Sequence, residues 1–376
     1  MTGNLPGRVP EPPETDVHQI VYRVACIGAS RMGSWFDDIQ RERSATDGGH
    51  SLEWVPGAVA SVCEAIPGMS LVAVCDLDTL LVRKMQDRWK VPSGYSDWRV
   101  MLERERPDIV AIVTSRGSTH AELAAGVAET GLVRGIYCEK PIASSMHEAD
   151  RIISACHSHQ VAYSCAHVFR WNARYRQALA WIREGMIGAV NSVACTGMGT
   201  LVHSGTHQAD AACGLAGDAE PDWASGWVDI PPDTPPEQWK ARDPVGGGLV
   251  QLRNGAQLLF DGRSRGPRVF QVNGSKGRIY LHNDLKHVQL WKQDATAPTR
   301  ELHAGPVISP KQEQSYAVTQ MQELCGVLNH GGRSSCDEVK AARALEIVLG
   351  LHLSHRRDGA RVPFPLGDRM FAVDAV

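Results

Sequence analysis

Four short apolar runs, each stopping at a turn and separated by helical stretches, restrict the fold of this chain more than any other feature. They are VYRVACIG (21–28), SLVAVCD (70–76), DIVAIVT (108–114) and GIYCEKP (135–141). Strand and helix alternating at this spacing predict a doubly wound parallel sheet of the α/β class. At 376 residues the chain has room for a second domain with its own core.

The first run ends in Gly28, with Gly33 five residues later. That is the shape of a strand, a tight turn and a helix start, with Ser30 where a dinucleotide fingerprint has its middle glycine. A pyrophosphate is expected on the amides of that turn, beside Ser30, Arg31 and Met32. Asp76, ending the second run, is placed either to take the ribose hydroxyls of an adenosine or as a plain strand-end turn residue. With no Arg directly after it, the pattern favours NAD over NADP. The stretch from 34 to 68 is long for such a unit. It is taken as an insertion at the far end of the first helix, away from the cofactor.

The third run ends at Thr114 and Ser115. Thr119 and Glu122 have capping-box spacing for the helix that follows. His120, in its first turn, either faces the nicotinamide cleft or is a solvated helix-end histidine. The fourth run delivers Glu139, Lys140 and Pro141 to a strand end. A lysine half buried there is either paired or has a lowered pKa, and both conditions suit proton handling.

Past Pro141 the pattern changes. Ser145 with Glu148 caps a helix. His167 ends a strand, and Arg170 and Trp171 follow it towards Lys140, whereas Arg174, Arg176 and Arg183 read as a solvated helix face. His203, His207 and Asp210 fall at i, i+4 and i+7, on one helical face. H-x-x-x-H is also zinc spacing, but the Glu of H-E-x-x-H is missing and no third ligand is evident, so no metal is expected and zinc stays the minor alternative. GLVQLRNGAQLLFDG, RVFQVNGSKGRIYLHND and KHVQLWK read as strands joined by hairpins at Asn254-Gly255 and Gly274 to Gly277, an open antiparallel sheet. A last helix from about Asp337 is expected to be capped by Ser335 with Glu338. The expected division is an arm at 1–20, disordered by composition, a nucleotide-binding domain at 21–142 and a substrate and oligomerisation domain at 143–376.

Charge and composition exclude several partners. A net charge of -3 with scattered basic residues gives no general attraction to nucleic acid or to anionic membranes. No apolar run approaches the ~20 residues of a membrane span. The ten cysteines include no C-x-x-C pair and several lie in strand-like runs, as buried thiols do, so a reduced, cytoplasmic protein is expected.

Taken together, IGASRMG, VAVCD, VTSRGSTHAE, CEKP, RWNARY, EGMIGAV, GTHQAD and the closing RALEIVLGLHLSHRRDGARVPFPL resemble the Gfo/Idh/MocA oxidoreductases, the family of glucose–fructose oxidoreductase and inositol dehydrogenase. The resemblance runs from about residue 21 to 366. It implies NAD(H) or NADP(H), secondary alcohols of sugars, inositols or glycosides as substrates, and homo-oligomers (dimers, tetramers or larger) built on the C-terminal sheet. Lys140 matches the motif lysine, often before a cis proline, and His207 the catalytic histidine. His203 stands where inositol-type enzymes usually carry Asp, which leaves the base open between the two histidines, and Ala173 replaces the proline of R-x-x-P. The implied cofactor contacts are Gly28, Ser30, Arg31, Met32 and Asp76 in the first half. Thr114, Ser115, His120, Glu139, Lys140, Arg170 and Trp171 complete them. Substrate is expected on Lys140, His167, Arg170, His203, His207 and Asp210. Relatives that recycle a tightly bound NAD, in sugar transhydrogenation or glycoside cleavage, and non-catalytic sensors are the alternatives.

Overall fold

The computed structural model describes residues 21–231, 233–293 and 301–374; the expected arm at 1–20 lies outside them. Six parallel strands form the first sheet: β1 (Tyr22–Ile27), β2 (Met69–Cys75), β3 (Ser93–Tyr95), β4 (Ile109–Ile112), β5 (Gly135–Cys138) and β6 (Ala162–Cys165), in the order β3-β2-β1-β4-β5-β6. The order reverses between β1 and β4, which opens a crevice at their carboxyl ends. β6 pairs in parallel with β5, Cys138 opposite Cys165. The sheet therefore runs on past the boundary expected at 142.

The helices of this half are α1 (Phe36–Ser44), α2 (Val59–Ala65), α3 (Thr79–Trp89), α4 (Trp98–Glu105), α5 (Gly117–Glu129) and α6 (Met146–His159). One of them starts other than expected. α5 begins at Gly117, its N-cap Arg116 offers no side-chain acceptor, and the Ser118 amide and hydroxyl in its first turn are both taken by Asp374, 256 positions away. α6 does start at Ser145, whose Oγ accepts the Glu148 amide, while the Glu148 carboxylate reaches back to the amide of Ser144.

The second sheet has nine strands: β7 (Val190–Thr196), β8 (Pro221–Val228), β9 (Gly246–Leu252), β10 (Gln257–Asp261), β11 (Val269–Gly274), β12 (Gly277–His282), β13 (His287–Gln293), β14 (Leu302–Ile308) and β15 (Val362–Pro363). All neighbours are antiparallel except β7 with β10, and both expected hairpins are present. The helices are α7 (Ala173–Arg183), α8 (Gly205–Leu215), the short α9 (Pro236–Lys240), α10 (Tyr316–His330) and α11 (Glu338–His355). α11 packs on α8 and β8 and is buried over almost its whole length. Its cap is Asp337, not Ser335, because the Ser335 amide and hydroxyl bind Glu323 instead.

The insertion at 34–68 does not point away from the cleft. Asp37 Oδ1 accepts the amides of Gly57 and Ala58 at 2.8 and 3.0 Å and folds the segment back on itself. Glu53 then receives both guanidinium nitrogens of Arg174 at 2.8 and 2.9 Å and the Tyr316 hydroxyl at 3.0 Å. Arg174 is thus a buried anchor between the two halves of the chain, not part of a solvated face.

Candidate active site

The carboxyl ends of β1, β2, β4 and β5 meet in one crevice. Gly28 has φ +109°, and a Cβ there would lie 2.8 Å from the carbonyl oxygen of Val113; a Cβ on Gly33 would run into the Gly28 carbonyl oxygen. Both glycines are therefore required by the turn, and Ser30 is tolerated between them. Asp76 Oδ2 accepts the Ala29 amide at 2.8 Å, which ties the end of β2 to that turn. Across the crevice the Thr114 Oγ1 is buried without a partner, and Ser115 beside it is exposed. A close-approach glycine turn, a carboxylate at the end of β2 and an orphaned hydroxyl together fit a dinucleotide.

His120 is neither in the cleft nor solvated. It is fully buried, with Nδ1 2.7 Å from the Pro141 carbonyl and Nε2 2.9 Å from the Thr114 carbonyl. It braces the two strand-end loops, so a cofactor meets those loops and not the ring.

Lys140, before a cis Pro141, reaches across to the second domain. Its Nζ donates to the His203 carbonyl at 2.9 Å and lies 3.2 Å from His203 Nδ1. Burial lowers the lysine pKa against the pull of Glu139. His203 itself is held in the turn before α8 by Asp243, which accepts the amides of Val202 and His203 at 2.8 and 2.7 Å. Burial first, and then the Lys140 charge, lower the pKa of its ring, so it can accept from the ammonium.

His207 lies in the first turn of α8, and its side chain sits between two adjoining cavities. The smaller, about 90 Å3, is lined by Met32, Glu139 and Val168. The larger, about 410 Å3, is lined by His50, His203 and Arg268. Arg31, Phe36, Trp54, Lys140 and His207 belong to both. A hollow of about 570 Å3 along β6 is larger, but none of these groups lines it. His207 packs against the rings of Phe169 and His167, with centres at 5.2 and 5.4 Å. Its Nδ1 is buried without a partner, which leaves Nε2 for the cavity. Burial, then the charges of Lys140, His167 and Arg268, hold its pKa well below the ordinary value.

Four expected contacts are placed elsewhere. Arg170 Nε and Nη2 bind both oxygens of Asp210 at 2.7 and 2.8 Å, and Asp218 takes the rest of the guanidinium. Both partners of the Arg170–Asp210 pair are buried. Trp171 is buried and donates to Glu323 at 3.0 Å. His167 lies beneath His207, 1 % exposed. These groups fix α8 from behind and do not reach the cavities. Ala173, where the motif proline is lost, donates its amide to Gln312 Oε1 at 2.8 Å, a bond that proline could not make.

Among the described residues one trio has metal-ligating types in reach of one another, His167, Asp210 and Cys336. Both Asp210 oxygens already hold Arg170, so a cation there would meet a guanidinium. All ten cysteines are free and buried, and no described helix is long and apolar enough to cross a membrane.

Buried neutral histidines give the fold an acid limb. Burial pushes His167 down to about 4 and His352, whose Nδ1 accepts from Trp239 Nε1 at 3.1 Å, down to about 3. Below the unfolded value of ~6.5 the unfolded chain binds protons that the folded one refuses, so stability falls with pH in that window. Each ring should cost roughly 2 kcal/mol between pH 6.5 and 5. Thermal melts should therefore drop steeply below pH 6.5, and His352→Gln should make the drop shallower. Equal melting temperatures at pH 7.5 and 5 would rule this out.

Residues that sequence reasoning missed come from far along the chain. Phe36, His50 and Trp54 arrive with the insertion, Arg268 from the residue before β11 and Tyr316 from α10. For Phe36, His50 and Trp54 the unusual length of the 34–68 segment is the one advance signal; Arg268 and Tyr316 have none.

Residues 22–167 match the Gfo/Idh/MocA model, an oxidoreductase family with an NAD-binding Rossmann fold. D-apiose dehydrogenase of Paraburkholderia graminis is 30% identical over 123 residues, 33% of this chain and 32% of that protein. Myo-inositol 2-dehydrogenase of Thermotoga maritima is 26% identical over 234 residues, 57% of this chain and 68% of that one. The first two curated relatives are thus matched over about a third of their length, 32% and 35%. An aldose–aldose oxidoreductase from Caulobacter crescentus, solved with glycerol, shares the fold with a TM-score of 0.72 at 15% identity, over 92% of this chain and 100% of that one. A levoglucosan dehydrogenase solved with NADH and L-sorbose gives 0.71 at 18%, with the same coverage. Over residues 22–167 the chain is thus similar to the Gfo/Idh/MocA oxidoreductases, with their NAD-binding Rossmann fold.

Proposed function

We propose that the protein oxidises a secondary alcohol of a sugar, polyol or glycoside to the ketone with NAD. The observation that carries this is the meeting of Lys140 and His207 in cavities that begin at the glycine turn. The relatives named above include dehydrogenases of apiose and inositol. The nicotinamide, when bound, takes up the hydride; the chain supplies the rest. Gly28, Ser30, Arg31 and Met32 would hold its diphosphate, Asp76 its ribose, and Thr114, Ser115 and Glu139 would line the nicotinamide side.

An alcohol that gives up a hydride must also give up its hydroxyl proton. His207 takes that proton at Nε2, being neutral at physiological pH because its pKa is depressed. The burial that depresses it, with the charges of Lys140 and Arg268 beside it, also makes the imidazolium release the proton readily. Lys140 donates to the substrate oxygen and stabilises its developing charge. His203 keeps the Lys140 ammonium aimed, through its carbonyl and Nδ1. It is a positioning residue, and His207 is the base. His167, Arg170 and Asp210 act through α8. Homo-oligomers through the nine-stranded sheet, where Leu259 and Val307 are exposed, belong to the same proposal.

The test is absorbance near 340 nm with a panel of sugars, inositols and glycosides, with and without NAD or NADP. Growth of the reduced band on adding NAD is the expected result. A substoichiometric change without added nucleotide would instead mean a bound cofactor recycled internally, and no change with any member of the panel would count against oxidation altogether. Asp76→Ala should weaken NAD binding about 10–100-fold, since each hydrogen bond to a carboxylate is worth ~1.5–3 kcal/mol. It should also narrow the preference for NAD over NADP; fluorescence titration with both nucleotides measures this.

A further inference from the structure

The larger cavity carries more positive charge than the reaction uses. Four of its lining residues are cationic, Arg31, Arg43, Lys140 and Arg268, against one carboxylate, Asp284. Lys140 is committed to the reacting oxygen, and Arg31 sits in the glycine turn and also borders the smaller cavity. Arg43 and Arg268 border the larger cavity but not the smaller.

Among the described residues neither guanidinium is taken up by a carboxylate within hydrogen-bond range, and Arg268 has one neutral acceptor, the Gln208 side-chain amide at 3.2 Å from its Nε. Arg268 precedes β11, with its guanidinium 5.3 Å from the centre of the Phe169 ring, which in turn packs on His207. Its nearest carboxylate oxygen, Asp284 Oδ1, is 3.8 Å away, beyond hydrogen-bond range, and that oxygen already accepts the Arg268 amide at 3.0 Å. Arg43, in the last turn of α1, makes no ion pair among the described residues. Guanidinium groups facing one hollow repel each other until an oxyanion enters, and their planar forks match carboxylate and phosphate geometry.

We propose that the larger cavity binds an anionic sugar, its carboxylate or phosphate held by Arg268 and Arg43 while the hydroxyl to be oxidised lies at Lys140 and His207. This rests on the sugar-oxidation proposal above and names its substrate class. The insertion at 34–68 then has a role: it brings Arg43 to the cleft as a specificity element. The charge of Arg268 is also among those that hold the His207 pKa down. An anion against Arg268 offsets that charge, so the base strengthens when the acidic substrate is seated.

Calorimetric titration of the full-length protein, with and without NADH, tests the site independently of turnover. D-glucuronate and D-gluconate probe a carboxylate, D-glucose 6-phosphate a phosphate, and D-glucose and myo-inositol are the neutral references. At least one anionic sugar should bind about 10–100-fold more tightly than its neutral counterpart, and salt should reduce the difference. Whether a sugar acid or the phosphate shows the larger ratio identifies the anion. Arg268→Gln and Arg43→Gln should each bring the ratio towards one, and Arg43, on an exposed helix end, serves where Arg268→Gln disturbs folding. Neutral sugars binding as tightly as the anionic ones, no sugar binding at all, or ratios unchanged in both variants would overturn the site. Tight anion binding with no NADH formed from any sugar would leave the site standing and remove the oxidation proposal.

Discussion

His207→Ala should lower turnover by roughly 10²–10⁴ while NAD still binds. At ~1.4 kcal/mol per decade this is about 3–5 kcal/mol of barrier, the share expected of one positioned proton acceptor. The selectivity follows from placement. His207 borders both cavities, but the glycine turn, Asp76 and Thr114 are built by other elements and do not depend on its ring. The variant should therefore bind NAD in a fluorescence titration as the parent does and fail at 340 nm. His203→Ala should cost less, because Lys140 keeps its 2.9 Å bond to a backbone carbonyl that alanine also supplies. If His203→Ala were the more damaging, the roles of the two histidines would be exchanged. Turnover unchanged in His207→Ala would remove it as the base.

The parts of the site set by short-range patterns were legible in the sequence. The strand-ending residues Gly28, Asp76, Thr114, Glu139 and Lys140 were found because a parallel strand and its turn fix them within a few positions. The hairpins at Asn254-Gly255 and 274–277 were found for the same reason. What failed depended on distant partners. Thr119 and Glu122 have capping spacing, but Asp374 claims Ser118 and α5 starts earlier. Ser335 precedes the last helix, but Glu323 claims it and the cap falls to Asp337. Arg174 looks solvated on a helical wheel until Glu53, 121 positions away, is folded against it. Arg170 and Asp210 carry the chemistry of a binding site, yet each is the other's partner. A local pattern shows which groups a segment offers; it does not show which long-range partner takes them.

That mutual commitment supports the second large prediction. Arg170→Met should destabilise the fold by about 3–5 kcal/mol, the cost of leaving one member of a buried ion pair alone. Asp210 is the member left behind: its side chain is 0% exposed, and Arg170 supplies the strong donors to both of its oxygens. Asp218, the other partner, is 31% exposed and can be hydrated, so Asp218→Asn should cost much less. The double variant Arg170→Met/Asp210→Leu should recover much of the loss, because it removes the stranded charge together with its partner. Urea denaturation of the four proteins measures this, and a double variant no better than Arg170→Met would show that packing, not charge, holds the joint. Activity adds a second discrimination. Asp210 lies three residues after His207 on α8, so the turn carrying the base is fastened through this pair. Arg170→Met should lose stability and turnover together, and the double variant should regain both. His207→Ala should lose turnover alone. A group that touches the reacting oxygen and a group that holds its helix are thereby separated by whether stability moves with rate.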